Sequence, residues 1–319
     1  MKRVTLLVPC YNEQEALPYF YAEICRVMAS LENRYDFELL FINDGSKDNT
    51  LQLLREFAGK DKRVRIVDLS RNYGKEVGML AGFDYSTGDC VITLDADLQE
   101  PPSVIPMMLA EWENGSCDVY GRRRMRRQSA AKKFSSRLYH KILSNVSDVD
   151  LSDDAGDFRL LDRKCVDALR SMRESQRYTK GMYAWIGYDK TPVDYDIAPR
   201  VAGTTKWTLP KLIHLAMDGL MAHSVLPLRL ASYAGIIVSL GAFCYLIYVL
   251  IKTIIWGEPV AGYPSLMAVI LFLGGFILLA LGIIGEYIGR IFLETKQRPV
   301  YFINEVTPPS SGEDGMKDK

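Results

Sequence analysis

Residues 90–99 read Cys-Val-Ile-Thr-Leu-Asp-Ala-Asp-Leu-Gln, and this stretch decides the fold. Val91 through Leu94 form a short uncharged run rich in β-formers, the pattern of a strand buried on both faces. It leads straight into two carboxylates, Asp95 and Asp97, one residue apart. Working outward, similar apolar runs lie at 4–8, 38–43, 64–68 and 118–121, and helical patterns fill 16–30, 49–58, 75–85 and 103–113. This alternation predicts an α/β domain whose sheet is mostly parallel and covered on both sides. Ligands of such sheets bind beyond the carboxyl ends of the strands. The polar clusters fall at those ends: Tyr11-Asn12-Glu13 after the first run, Asp44-Gly45-Ser46 after the second, Asp95-Ala96-Asp97 after the fourth.

Composition narrows the partners. The 319 residues hold 39 Lys+Arg against 39 Asp+Glu, and a neutral total speaks against a nucleic-acid binder. Basic residues nonetheless crowd 122–137, and acidic ones 148–157. The six cysteines are scattered without metal-finger spacing, which reads as reduced, packed thiols in a reducing compartment. His140, His214 and His223 are too far apart in sequence to suggest a metal cluster.

The last third changes character. Leu209, Leu212, Ile213, Ala216, Met217, Leu220 and Met221 recur at helical spacing, so 208–230 reads as an amphipathic helix on a membrane surface, although a core-facing helix has the same pattern. Residues 233–251 and 263–285 carry no charge, and each approaches or exceeds the roughly 20 residues that cross a bilayer. Joined by a Gly/Pro-containing turn, they predict a two-helix transmembrane hairpin over 231–292. Arg229 precedes it, and Arg290, Lys296 and Arg298 lie at its far end, so both termini are expected in the cytoplasm. The tail, 293–319, reads as partly disordered from Thr307 onward.

Asp95 and Asp97, with Gln99 two further on, offer hard oxygen ligands for Mg²⁺ or Mn²⁺, ions that pair one or two protein carboxylates with substrate phosphates and water. The basic run Arg122, Arg123, Arg124, Arg126, Arg127, continuing to Arg137, follows the fifth strand; it is either a solvated face or a phosphate-binding one.

Four motifs in order, VPCYNE (8–13), NDGSKDNT (43–50), RNYGKEVGMLAGFDYSTGD (71–89) and TLDADLQEPP (93–102), resemble family 2 glycosyltransferases of the Rossmann-like GT-A fold. More narrowly, GDFRLLDR (156–163), GTTKW (203–207), PLRL (227–230) and GEYIGRI (285–291) look like the branch that glycosylates polyprenyl phosphates. The resemblance implies a catalytic domain over 1–207 and an inverting transfer of a hexose, UDP-glucose being the first choice of donor, to undecaprenyl phosphate. Mannose, aminoarabinose and N-acetylhexosamine remain alternatives. It implies that Pro9, Tyr11, Glu13 and Asp44 shape the nucleotide pocket, that Asp95 contacts the donor, and that Asp97 and Gln99 ligate the metal. Asp44 reads equally as a cap of the turn into the next helix, and Glu13 as a solvated side chain. Arg122, Arg127 and Arg137 are candidates for the acceptor phosphate, Lys206 for the donor, and Asp157 for a base or an orienting group. Thr204 stands where the motif commonly has an acidic residue. Also implied are an integral inner-membrane location and self-association. Rival readings are a non-catalytic nucleotide-sugar scaffold and a soluble transferase with an apolar protein-binding tail; a processive synthase lacks its Q-x-x-R-W motif here.

Overall fold

The structure, a computed structural model, describes residues 1–123, 155–174, 177–196 and 262–307, with isolated helical positions between 233 and 255. Two compact units are present, one formed by 1–216 with 299–319 and the other by 217–298.

The first unit is an eight-stranded sheet. Its elements are β1 (Lys2–Cys10), α1 (Leu17–Leu31), β2 (Tyr35–Asn43), α2 (Thr50–Lys60), β3 (Val64–Leu69), α3 (Lys75–Tyr85) and β4 (Cys90–Thr93). A 3₁₀ turn (Pro102–Val104) leads to α4 (Ile105–Glu113), β5 (Asp118–Arg123), β6 (Ala155–Asp162), α5 (Arg163–Ser171), α6 (Thr179–Trp185) and β7 (Lys190–Tyr195). The chain returns at its end to add β8 (Ile303–Val306), and the strand order is β7-β5-β6-β4-β1-β2-β3-β8. Six strands run one way; β6 and β8 pair antiparallel. The expected α/β class with a mostly parallel sheet is therefore what the chain forms.

The apolar strands are buried because helices cover both faces. Val4, Leu6 and Val8 of β1 pack with Phe20, Ile24 and Met28 of α1 on one side, while Leu7 faces Met79 and Phe83 of α3 on the other. The α1 residues recur one face apart, an amphipathic stripe set against the sheet. Helix α3 is buried along most of its length, and Gly82 permits its close approach: a Cβ there would meet Leu7 Cδ1 at 2.1 Å. Burial at this level supplies most of the stability of such a domain, at roughly 25 cal/mol per Å² of apolar surface removed from water. Cys10, Cys90, Cys117 and Cys165 are buried free thiols, as read from the sequence.

Registers align the strand ends into one rim. Cys10 pairs with Asn43 and Asn43 with Asp68, so the loops after β1, β2 and β3 leave side by side. Thr93 of β4 pairs with Arg159 of antiparallel β6, so the first residues of β6 stand beyond the end of β4, on that same rim.

The sequence reading set 293–319 apart as a tail. Four of these residues form β8, and Thr307 continues the attachment, its amide donating to Ile66 O at 3.0 Å. The open edge of β3 otherwise presents unpaired amides, and β8 satisfies them.

In the second unit, α7 (Tyr263–Thr295) is long and apolar, and its stretch Phe272–Thr295 meets the length and composition of a membrane span. The first expected span and the amphipathic segment 208–230 lie largely outside the described residues, as do Arg127, Arg137 and Lys206.

Candidate active site

Lys75 stands at the centre of the rim. Its Nζ lies 2.7 Å from Asp95 Oδ1, 2.9 Å from Asp95 Oδ2 and 3.1 Å from Asp157 Oδ2. One ammonium thus joins the end of β4 to the start of β6. The local sequence explains the placement: β6 runs antiparallel, and Thr93 Oγ1 donates to the Asp157 carbonyl, fixing that residue beside the β4 end.

Electrostatics follow from this arrangement. Burial disfavours the Lys75 charge, but Asp95 and Asp157 outweigh it and hold the ammonium well above the usual lysine range. Burial likewise raises Asp157, yet Lys75 and Lys180 overcome it, so its carboxyl sits below its ordinary value and stays ionised. Asp157 Oδ1 is buried and has no hydrogen-bond partner among the described residues.

Glu100 lies beneath the pair. It accepts the Asp95 amide at 3.3 Å, and Arg123 Nη2 approaches its other oxygen at 3.8 Å. Burial first, then the Asp95 charge, push Glu100 up to about 8. Asp97 accepts the Gln99 amide at 3.1 Å across a turn in which Leu98 adopts a φ of 58°.

The loops after β1, β2 and β3 stand beside this group on the same rim. Asp44 accepts the amides of Tyr73 at 2.7 Å and Gly74 at 2.9 Å, and burial outweighs these bonds to leave its carboxyl above the ordinary value. Gly45 makes this possible: its φ is 61°, and a Cβ there would lie 2.4 Å from the Arg71 carbonyl carbon. In the loop after β1, which Pro9 and Tyr11 flank, the Asn12 amide donates to Ser46 Oγ at 3.0 Å and the Glu13 amide to Thr50 Oγ1 at 2.8 Å. The backbone carbonyl of Glu13 accepts from Ala16 and Leu17 and starts α1.

Of the residues expected from the sequence, the structure brings Asp95 and Asp157 together at one ammonium and sets Asp44 on an adjoining loop. Arg122 is gripped by Asp194, with Nε to Oδ1 at 2.5 Å and Nη2 to Oδ2 at 3.1 Å. Lys75 and Glu100 were not singled out by sequence reasoning, and Arg123, part of the basic run, stands beside Glu100. For Lys75 a signal existed: a cation opening a helix opposes the helix dipole, so it asks for a compensating anion.

Among the described residues, no three His, Cys, Asp or Glu side chains stand close enough to hold an ion unaided. Asp95, 38% exposed at the rim, and Asp97, across the Leu98 turn, still offer carboxylate oxygens of the kind a hard divalent ion takes while phosphate and water complete its shell.

The fold and this rim define an α/β protein that gathers acidic side chains where such sheets bind nucleotides. A family model described as glycosyl transferase family 2 matches residues 5–170, and one described as GtrB C-terminal hairpin matches 226–291. The chain belongs to glycosyl transferase family 2. It is 41% identical to an uncharacterized glycosyltransferase of Synechocystis sp. over 95% of both chains. It is 40% identical to a prophage bactoprenol glucosyl transferase homolog of Escherichia coli, covering 95% of this chain and 99% of that one. A bactoprenol glucosyl transferase of Shigella phage SfX is 40% identical over 94% of this chain and 98% of its own.

Proposed function

We propose that the protein transfers glucose from UDP-glucose to undecaprenyl phosphate, inverting the anomeric centre, at the membrane's cytoplasmic face. The observation that carries this reading is the Asp95–Lys75–Asp157 centre at the strand-end rim. Near full-length similarity to proteins named bactoprenol glucosyl transferase supports the choice of sugar and lipid.

Asp44 and the loops around Pro9, Tyr11 and Glu13 hold the nucleoside. Asp95, with Asp97 and Gln99, holds Mg²⁺ or Mn²⁺, which when bound supplies charge neutralisation for the departing diphosphate. Lys75 adds a fixed positive charge on the same side, and Lys206 approaches the donor. The acceptor phosphate has a second pKa near 6 and is mostly dianionic at neutral pH, so it needs little help from a base. One of its oxygens forms the new bond to the anomeric carbon as the bond to UDP breaks, and UDP leaves from the opposite face. Asp157, kept ionised, orients Lys75 and the sugar rather than taking a proton. Arg127 and Arg137, with Arg122 once its fork exchanges Asp194 for phosphate, draw the lipid phosphate from the headgroup layer, since guanidinium forks bind phosphate bidentately.

The membrane reading rests on α7. Its candidate span of 24 residues is about 36 Å long, enough for a hydrocarbon core of roughly 30 Å. Phe272, Ile277, Leu278, Leu281, Ile284 and Ile288 are all exposed along it, which suits lipid rather than water. A second span over 233–251, cytoplasmic termini and self-association complete the proposal.

The test incubates purified protein with labelled nucleotide sugars and short polyprenyl phosphates and counts the organic phase with and without EDTA. Label from UDP-glucose entering that phase only with metal supports the reading. No transfer from any donor, with wild-type protein folded and metal present, contradicts it and favours the scaffold.

A further inference from the structure

We infer that residues 301–307, the segment that follows the apolar helix α7, are a working part of the donor pocket: they hold the loops that carry Asp44 in binding geometry. The inference rests on the reading of the rim as a nucleotide-sugar site.

Covering an open sheet edge requires only a main-chain ladder, and β8 has one, pairing Val306 with Val67 and Glu305 with Asp68. What exceeds that need is a set of side-chain bonds running to the rim. Asn304 Nδ2 donates to Asp68 Oδ2 at 3.2 Å, and Asp68 Oδ1 accepts from Asn43 Nδ2 at 2.6 Å in the buried interior. Asn43 Oδ1 then accepts the Ser46 amide at 3.4 Å, and Ser46 Oγ accepts the Asn12 amide at 3.0 Å. One continuous relay therefore passes from the C-terminal strand, through the residue before Asp44, to the loop after β1.

A second route reaches Asp44 from its other side. The Ser70 amide donates to Phe302 O at 2.9 Å, the Phe302 amide donates to the Tyr73 hydroxyl at 3.3 Å, and that hydroxyl meets Ser70 Oγ at 2.9 Å. The loop so pinned is the one whose Tyr73 and Gly74 amides grip the Asp44 carboxylate. A third bond, from the Tyr301 hydroxyl to Asp84 Oδ2 at 2.5 Å, fastens the far end of α3, the helix that Lys75 opens. Loops fixed beforehand spare the donor the entropic cost of ordering them on binding, so the segment acts through affinity and not through the chemical step.

The experiment uses full-length protein in detergent and reads UDP affinity by calorimetry with Mn²⁺, together with KM for UDP-glucose, kcat and acceptor KM. Asn304→Ala cuts the relay while leaving the ladder. Arg55→Ala removes only the exposed ion pair to Glu305 on the same strand, which contributes little. For Asn304→Ala, UDP Kd and donor KM are expected to rise about 10-fold, near the upper size of one hydrogen bond's net contribution. Its kcat at saturating donor and its acceptor KM should stay within about twofold, and Arg55→Ala should match wild type throughout. Unchanged donor affinity in Asn304→Ala overturns the inference. So does an equal loss in Arg55→Ala, which would make the strand a general edge cover. If Asn304→Ala does not fold, Tyr73→Phe takes its place, with a rise of about threefold expected and no rise again contradictory. Wild-type protein that binds no UDP removes the reading of the rim itself, and the inference with it.

Discussion

Two cation–carboxylate groups lie within two residues of each other along β6, and they differ in what surrounds them. Asp157 shares Lys75 with Asp95 at the rim, where the lysine and Asp95 side chains are 40% and 38% exposed. Arg159 meets Asp118 at 2.6 Å in the interior, where the two are 3% and 0% exposed, with the Tyr183 ring 4.3 Å from the guanidinium. The buried pair is held by geometry that nothing can enter, so it serves the fold. The rim group has two acids for one base, and solvent reaches it, so an incoming metal and diphosphate can exchange with the contacts already made. Similar chemistry becomes structure in one place and a site in the other because of burial alone.

The sharpest break of that comparison is to remove each cation. Arg159→Met leaves Asp118 buried and unpaired, and denaturant unfolding should show a loss of about 3–5 kcal/mol. Lys75→Met should cost less, about 1–2 kcal/mol of stability, because Lys75 and Asp95 are 40% and 38% exposed and only Asp157, at 21%, is more enclosed. Its transfer rate, however, should fall about 100-fold in the organic-phase assay, since a fixed charge at the diphosphate is lost. Equal stability losses in the two variants would erase the distinction.

Gly45→Ala asks whether the loop beside the rim must be so tight. The added Cβ cannot coexist with the Arg71 and Asn72 backbone, so Asp44 should leave the Tyr73 and Gly74 amides. Donor KM should rise about 10-fold with a smaller change in kcat, as steady-state kinetics would report.

A further test concerns Glu100. Its folded value is raised to about 8 by burial and by Asp95, whereas the unfolded chain titrates near the ordinary glutamate value. A raised folded value means that stability is fully present below the unfolded value and is lost as pH climbs to about 8. Glu100→Gln escapes that loss. Thermal melts of metal-free protein should therefore show the variant gaining on wild type between about pH 5 and 8, with no further gain above.

The sequence made the parallel block β4-β1-β2-β3 of this sheet readable for a physical reason. Strands β1 to β4 are buried on both faces, so they appear as apolar runs, and the expected ends fall within a few residues of those observed. Strand β6 escaped because Asp157 and Arg159 interrupt its apolar pattern, and their partners, Lys75 and Asp118, are distant in sequence. Strand β8 escaped because four residues beyond an apolar helix carry too short a pattern to mark a sheet edge. Among site residues, Asp44 and Asp95 were visible as acids at strand ends. For Lys75 the sequence marked only a charge opposing a helix dipole, because its role depends on the antiparallel register that carries Asp157 to the rim.

The account stands on the rim carboxylates receiving a metal-bound diphosphate, and the direct measurement is UDP binding to full-length protein with and without Mn²⁺. Wild type should bind UDP with Mn²⁺ at least about 10-fold more tightly than without it, and Asp95→Asn should lose that difference while melting as wild type does. Asp95→Asn protein that keeps the full Mn²⁺-dependent affinity would contradict the account.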